Sequence, residues 1–156
     1  MKIADILDKN SIIGELASGD KKGVLEELVS VLVENGRLKD KEGALQVLLE
    51  RERLGSTGIG VGIAIPHGKL KKIRGLICSF GRSTEGIDFQ SIDGKPTNLF
   101  FLLLAPEDSA GEHLKALARL SRLLKDTQFR NKLMEVNSNE EIYRIIVEED
   151  ERYDLT

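Results

Sequence analysis

The sequence predicts an α/β fold in a single domain: a mixed central β-sheet flanked by helices, packed as a sandwich. Three observations predict it. Leu99-Phe100-Phe101-Leu102-Leu103-Leu104 is apolar on both faces, which suits a central strand and is far too short to span a membrane. Two further apolar runs bounded by glycine or proline, residues 62–65 and 75–80, lie in the same middle part of the chain. The segments before and after them repeat apolar residues at helical spacing. At 156 residues the chain is long enough for one domain with a substantial core. No internal repeat or interdomain linker interrupts it.

Taken in order, residues 2–7 read as one or two helical turns and Ser11-Ile12-Ile13 as a short strand. Asp20 is an N-cap for a helix whose buried face carries Leu25, Leu28, Val29 and Leu32 and which ends at Asn35-Gly36. A second helix from Asp40 buries Ala44, Leu45, Leu48 and Leu49. Arg51 and Arg53 in its last turn suit the negative helix end, and Gly55 stops it. Residues 62–65 form a brief buried strand that Pro66 terminates, which delivers His67 at a strand end. The tract from Lys69 to Arg74 reads as a basic turn or ragged strand start, followed by a strand at 75–80 and another short one at 87–89. Asp93-Gly94 with Pro96 marks a turn before the central strand. Ser109-Ala110-Gly111-Glu112 matches a capping box, so His113 falls in the first turn of a Leu-rich helix reaching about Lys125. Asp126-Thr127 opens another helix and Asn137-Ser138-Asn139 breaks it. Ile142, Tyr143, Ile145 and Ile146 form a last helix, and residues 148–156 read as an acidic, frayed tail.

Composition excludes several classes. The chain is 40% hydrophobic and 31% charged with net charge −3, which argues against a general nucleic-acid binder. No apolar run approaches a membrane span and the N-terminus has no signal-peptide core, so a cytoplasmic protein without direct membrane insertion is expected. One cysteine and two histidines exclude an internal disulfide and a Cys- or His-rich metal cluster. Neither a metal nor a cofactor is expected.

The chemistry concentrates in Leu54-Gly55-Ser56-Thr57-Gly58-Ile59-Gly60-Val61-Gly62-Ile63-Ala64-Ile65-Pro66-His67-Gly68. A Gly-rich loop lets backbone N–H groups approach a ligand closely, which makes Ser56, Thr57, Gly58 and Gly60 candidates for holding a phosphate. The loop lacks the Gly-Lys-Ser/Thr ending of a P-loop, and it runs from helix to strand, the reverse of dinucleotide folds. His113, at the positive end of a helix dipole, is disfavoured as imidazolium. If the two rings meet with an arginine nearby, the site has a nucleophilic nitrogen and a cation for phosphate oxygens. An idle histidine in a Pro-flanked turn and a solvated arginine at a helix end would give the same local patterns. Cys78 reads as a small core residue, and Asp88, Asp93, Glu107 and Asp108 as turn residues without metal-loop spacing.

From Arg51 to Leu70 the chain resembles the active-site signature of the EIIA type-2 domain, the fructose/mannitol class of the bacterial phosphoenolpyruvate-dependent phosphotransferase system. Its nitrogen-regulatory branch is the nearest likeness. Ser91-Ile92-Asp93-Gly94-Lys95-Pro96 with the following strand, and Glu112-His113-Leu114, extend the resemblance to nearly the whole chain. The resemblance implies residues 1–150 as the EIIA domain, with 151–156 an acidic tail. It implies a phosphotransferase with a phosphohistidine intermediate: His67 as phosphoryl acceptor, His113 as supporting histidine and Arg51 near the phosphate. Phosphate would arrive from the carrier HPr or its nitrogen-branch counterpart and leave for an EIIB cysteine. No fused HPr, EIIB or EIIC region is present, so transport would need separate partners. The alternative is a non-transport regulatory module whose choice of partner protein depends on His67 phosphorylation.

Overall fold

The apolar strand predicted at residues 99–104 sits in the middle of the sheet as part of a longer strand, and its alternation divides the molecule into layers. In the computed structural model, which describes residues 1–154, this strand (β6) runs Thr97–Pro106. Leu99, Phe101 and Leu103 face one hydrophobic core, while Phe100, Leu102 and Leu104 face a second. The first core is closed by helices α3 (Ala110–Leu124), α4 (Thr127–Glu135) and α5 (Asn139–Asp154). The second is closed by α1 (Lys21–Glu34) and α2 (Lys41–Arg53). The predicted class, a mixed central sheet flanked by helices, is what the chain forms; the sheet is open and carries helices on both faces.

Five strands lie in the order β1 (Leu7–Ile13), β5 (Ile77–Ile87), β6, β3 (Ile63–Ala64), β2 (Gly58–Gly60), and β4 (His67–Leu70) also pairs with β6. β1 is parallel to β5, β5 antiparallel to β6, and β3 and β4 parallel to β6. Ile63 pairs with Leu99 and His67 with Leu103, an offset of 36 residues in both cases (99 − 63 and 103 − 67). β3 and β4 are therefore one line of chain in a single register. Proline cannot donate to a ladder, yet the Pro66 carbonyl still accepts from Leu103 N at 2.9 Å, so register is kept across the gap. The strand does stop before Pro66, as expected, but the same line of chain resumes pairing directly after it. His67 opens β4, and Lys69 and Leu70, the start of the tract read as a basic turn or ragged strand start, belong to it.

Local chemistry sets most helix ends as read. Asp20 and Asp40 accept from Gly23 N at 2.8 Å and Gly43 N at 2.9 Å, and Asp126 accepts from Gln128 N and Phe129 N. The capping box read at Ser109 does not form; the Ser109 hydroxyl donates to the Pro106 carbonyl at 2.8 Å and caps no backbone N–H. Ser138 instead acts as an N-cap: its hydroxyl accepts from Glu141 N at 3.1 Å and donates to the Glu141 carboxylate at 3.1 Å. The segment read as a breaker is therefore also a helix start. Residues 2–7 reduce to a single 3-10 turn, Ile3–Asp5. The short strand expected at 87–89 does not form separately, since β5 runs on to Ile87.

The acidic C-terminal stretch is not frayed up to Asp154; α5 passes residue 150 without interruption. Asp150 is 1% exposed and accepts from Arg119 Nε at 2.6 Å and from Ile3 N at 2.7 Å, tying the helix to the start of the chain. The last two residues of the expected tail lie outside the described residues.

Candidate functional site

Alternation along the β3–β4 line decides where His67 points. Ile63 and Ile65 enter the core closed by α3, α4 and α5, whereas Ala64 and Leu70 enter the α1–α2 core. His67 shares the parity of Ile63 and Ile65, so its ring projects towards α3. There it meets His113, with ring centroids 5.5 Å apart and planes inclined at 70°. Gly68 lies on the opposite face against α2, where a Cβ would stand 2.5 Å from Val47 Cγ1. Only a residue without a side chain lets β4 approach α2 this closely.

The His67 ring is partly buried, and its Nδ1 lies 2.8 Å from the Ile65 carbonyl oxygen. A carbonyl only accepts, so Nδ1 carries the hydrogen, and in the neutral ring Nε2 keeps its lone pair. Burial lowers the proton affinity of His67, with the charge of Arg51 acting in the same direction; the Ile65 carbonyl and Glu52 oppose them. His113 is buried, and its Nε2 has no hydrogen-bond partner among the described residues. Its proton affinity is also lowered, first by burial and then by His67 and Lys69. In both rings these influences favour the neutral form. A buried, unpartnered ring nitrogen is uncommon and calls for an explanation in function.

The remaining expected residues divide. Arg51, in the last turn of α2, donates to the Gly55 carbonyl at 2.8 Å and acts electrostatically on His67. Arg53 instead pairs with Glu50 at the surface. The Gly-rich stretch forms an edge hairpin, β2 and β3, joined by a turn in which Gly60, Val61 and Gly62 have φ of +94°, +51° and +80°. A β-branched residue in the left-handed region is a genuine outlier; the exposed Val61 is held there by its N–H bond to Asp93 Oδ2 at 3.1 Å. The loop donors are committed internally: Ser56 Oγ to the Phe89 carbonyl, Thr57 N to Glu52, and Gly58 N to Ser56 Oγ.

Sequence reasoning passed over one residue beside the site. Glu52 is buried at the end of α2, where the helix dipole disfavours a carboxylate. It accepts from Lys21 Nζ at 2.9 Å, from Thr57 N at 3.1 Å and from the Thr57 hydroxyl. Glu52 stands between two arginines in the sequence and looks like one more surface charge. Nothing local betrays its burial.

This architecture is that of the phosphotransferase-system IIA proteins. The crystal structure of nitrogen regulatory protein IIA-Ntr from Neisseria meningitidis is similar at a TM-score of 0.85 and 38% identity, covering 92% of this chain and 98% of that one. The chain belongs to the family described as "Phosphoenolpyruvate-dependent sugar phosphotransferase system, EIIA 2", which matches residues 5–149. Membership makes it a phosphocarrier component of that system. A nitrogen regulatory protein of Bradyrhizobium diazoefficiens is 42% identical over 147 residues, 94% of this chain and 95% of that protein. The fructose-specific EIIABC component of Bacillus subtilis is 41% identical over 150 residues, 96% of this chain. This chain spans 24% of that larger protein. No helix among the described residues is long and apolar enough to cross a membrane.

Proposed function

We propose that His67 Nε2 accepts a phosphoryl group from a phosphohistidine on HPr or its nitrogen-branch counterpart. It then yields the group to an EIIB cysteine or holds it as a regulatory signal. What carries this reading is the hydrogen bond from Nδ1 to the Ile65 carbonyl, which leaves a neutral imidazole with its lone pair on Nε2. As the Nε2–P bond forms, the donor's N–P bond breaks and the donor ring becomes neutral; no proton has to leave Nε2. Most of the work is then positioning and neutralising charge.

Arg51 supplies the cation, and the unpartnered Nε2 of His113 can turn an N–H towards a phosphoryl oxygen, near the positive end of α3. Ser56, Thr57, Gly58 and Gly60 serve by holding the frame, since the donors of the first three already have internal acceptors. The larger Bacillus subtilis relative, named an EIIABC component, supports an EIIB acceptor. Relatives named nitrogen regulatory proteins match along nearly their whole length and support the second reading, a cytoplasmic binding module switched by a dianion on His67.

The test is incubation with labelled phosphoenolpyruvate, the system's first enzyme and the carrier. Acid-labile, alkali-stable phosphate should appear on the parent and be lost in His67→Gln. His113→Gln should still be labelled, more slowly. Labelling of His67→Gln at the parent level overturns the assignment. For the regulatory reading, pull-downs with parent and His67→Asp should recover different partners; identical sets count against it.

A further inference from the structure

The end of α2 contains a contradiction that the proposed reaction does not use. Arg51 and Arg53 obey the helix dipole, while Glu52 between them defies it and is buried as well. Rules broken locally, with compensation nearby, are characteristic of functional sites. The compensation here is complete: the Glu52 side chain is 4% exposed, and both its oxygens are bonded, to Lys21 and twice to Thr57. Lys21 Nζ lies 4.6 Å over the Phe89 ring, and the Phe89 carbonyl accepts from Ser56.

From Thr57 the hydrogen bonds lead on to the reactive ring. Ile65 N donates to the Thr57 carbonyl at 3.1 Å, and His67 Nδ1 donates to the Ile65 carbonyl at 2.8 Å. The peptide between Ile65 and Pro66 has no N–H of its own, so the bond from Ile65 N to Thr57 is the nearest hydrogen bond steadying that carbonyl. We infer that Glu52 is a positioning residue for His67: by clamping Thr57 it fixes the Ile65 carbonyl, which fixes the tautomer and the aim of the imidazole. Lys21 completes the device by balancing a carboxylate that would otherwise repel an incoming phosphoryl dianion.

Charge acts together with geometry. The groups bearing on His67 are Arg51 and Glu52 from α2 and His113 from α3, with Lys69 acting on His113. Glu52 favours the imidazolium and Arg51 disfavours it, so neutralising Glu52 removes the charge that offsets the arginine and His67 titrates at lower pH.

This inference rests on His67 as phosphoryl acceptor, but its first readout does not. Ring-nitrogen NMR on the unphosphorylated full-length chain reports tautomer and titration directly. The parent should show Nδ1–H in the neutral ring. Glu52→Gln and Thr57→Val should show a mixture of tautomers, with a lower titration midpoint in Glu52→Gln. Phosphate uptake from the phosphorylated carrier should fall about ten- to a hundred-fold in both. Thr57→Ser, which keeps the hydroxyl, should match the parent throughout. Thr57→Val keeps the test open should Glu52→Gln fail to fold. Loss of stability in urea with parent tautomer and midpoint would make the network merely structural and overturn the inference. So would a Thr57→Ser variant that behaves like Thr57→Val. Were His67 not the acceptor, the tautomer change would remain and the parent would take up no phosphate.

Discussion

Replacing Asp150 with alanine should unfold the protein at markedly lower temperature, although Asp150 lies in a stretch that reads as a disposable tail. Its carboxylate is 1% exposed, with Oδ1 on Arg119 Nε and Oδ2 on Ile3 N. Alanine leaves a buried backbone N–H unpaired and a guanidinium, 15% exposed, deprived of its inner partner. Breaking a buried ion pair from one side costs about 3–5 kcal/mol. Arg119 keeps the outer bonds to Asp154 at 3.0 Å, which points to the lower end, about 3 kcal/mol. In a domain of this size that corresponds to a fall in melting temperature of about 6–12 °C. Urea unfolding with parent and variant measures it, with an unchanged denaturant slope as the check on two-state behaviour. Asp154→Asn, at the exposed end of the same network, should leave the midpoint near the parent's. Asp150 contacts none of the site residues, so phosphate uptake per folded molecule should be unchanged at low temperature. A loss below about 1 kcal/mol, the range of exposed pairs, would refute the reasoning and restore the frayed tail.

Two further outcomes are expected. Gly68→Ala forces a Cβ to within 2.5 Å of Val47 Cγ1, so β4 or α2 must shift, at about 1–3 kcal/mol of overpacking, and uptake at His67 should fall. Adding Val47→Ala should restore much of both, and full activity in Gly68→Ala alone would show that β4 need not sit so tightly. The pH profile gives a separate check: burial lowers the proton affinity of His67, so uptake, which needs a bare Nε2, should be half-maximal below about pH 6.5. Stability follows the same sign. Between about pH 6.5 and the lowered native values of His67 and His113, the unfolded chain binds more protons, so stability falls as pH falls. A midpoint at or above 6.5 would contradict the buried neutral ring.

Much of this protein is legible in its sequence because the relevant forces are short-ranged. Asp20, Asp40 and Asp126 cap helices through groups two or three residues away, and the alternation of β6 needs only its own pleat. His67, His113 and Arg51 were visible as residue types at telling places: a strand end, the first turn of a helix and the last turn of another. The sequence could not tell whether the two rings meet, because that depends on a parity carried from Ile63 across Pro66 and on a register set 36 residues away.

The tertiary structure alone decided which charges lie inside. Glu52 and Asp150 look like their exposed neighbours until Lys21, Thr57, Arg119 and Ile3 arrive from distant parts of the chain. Periodicity and capping are written locally. The burial of a charge, and the partner that makes it tolerable, are properties of neighbours that exist only once the chain has folded.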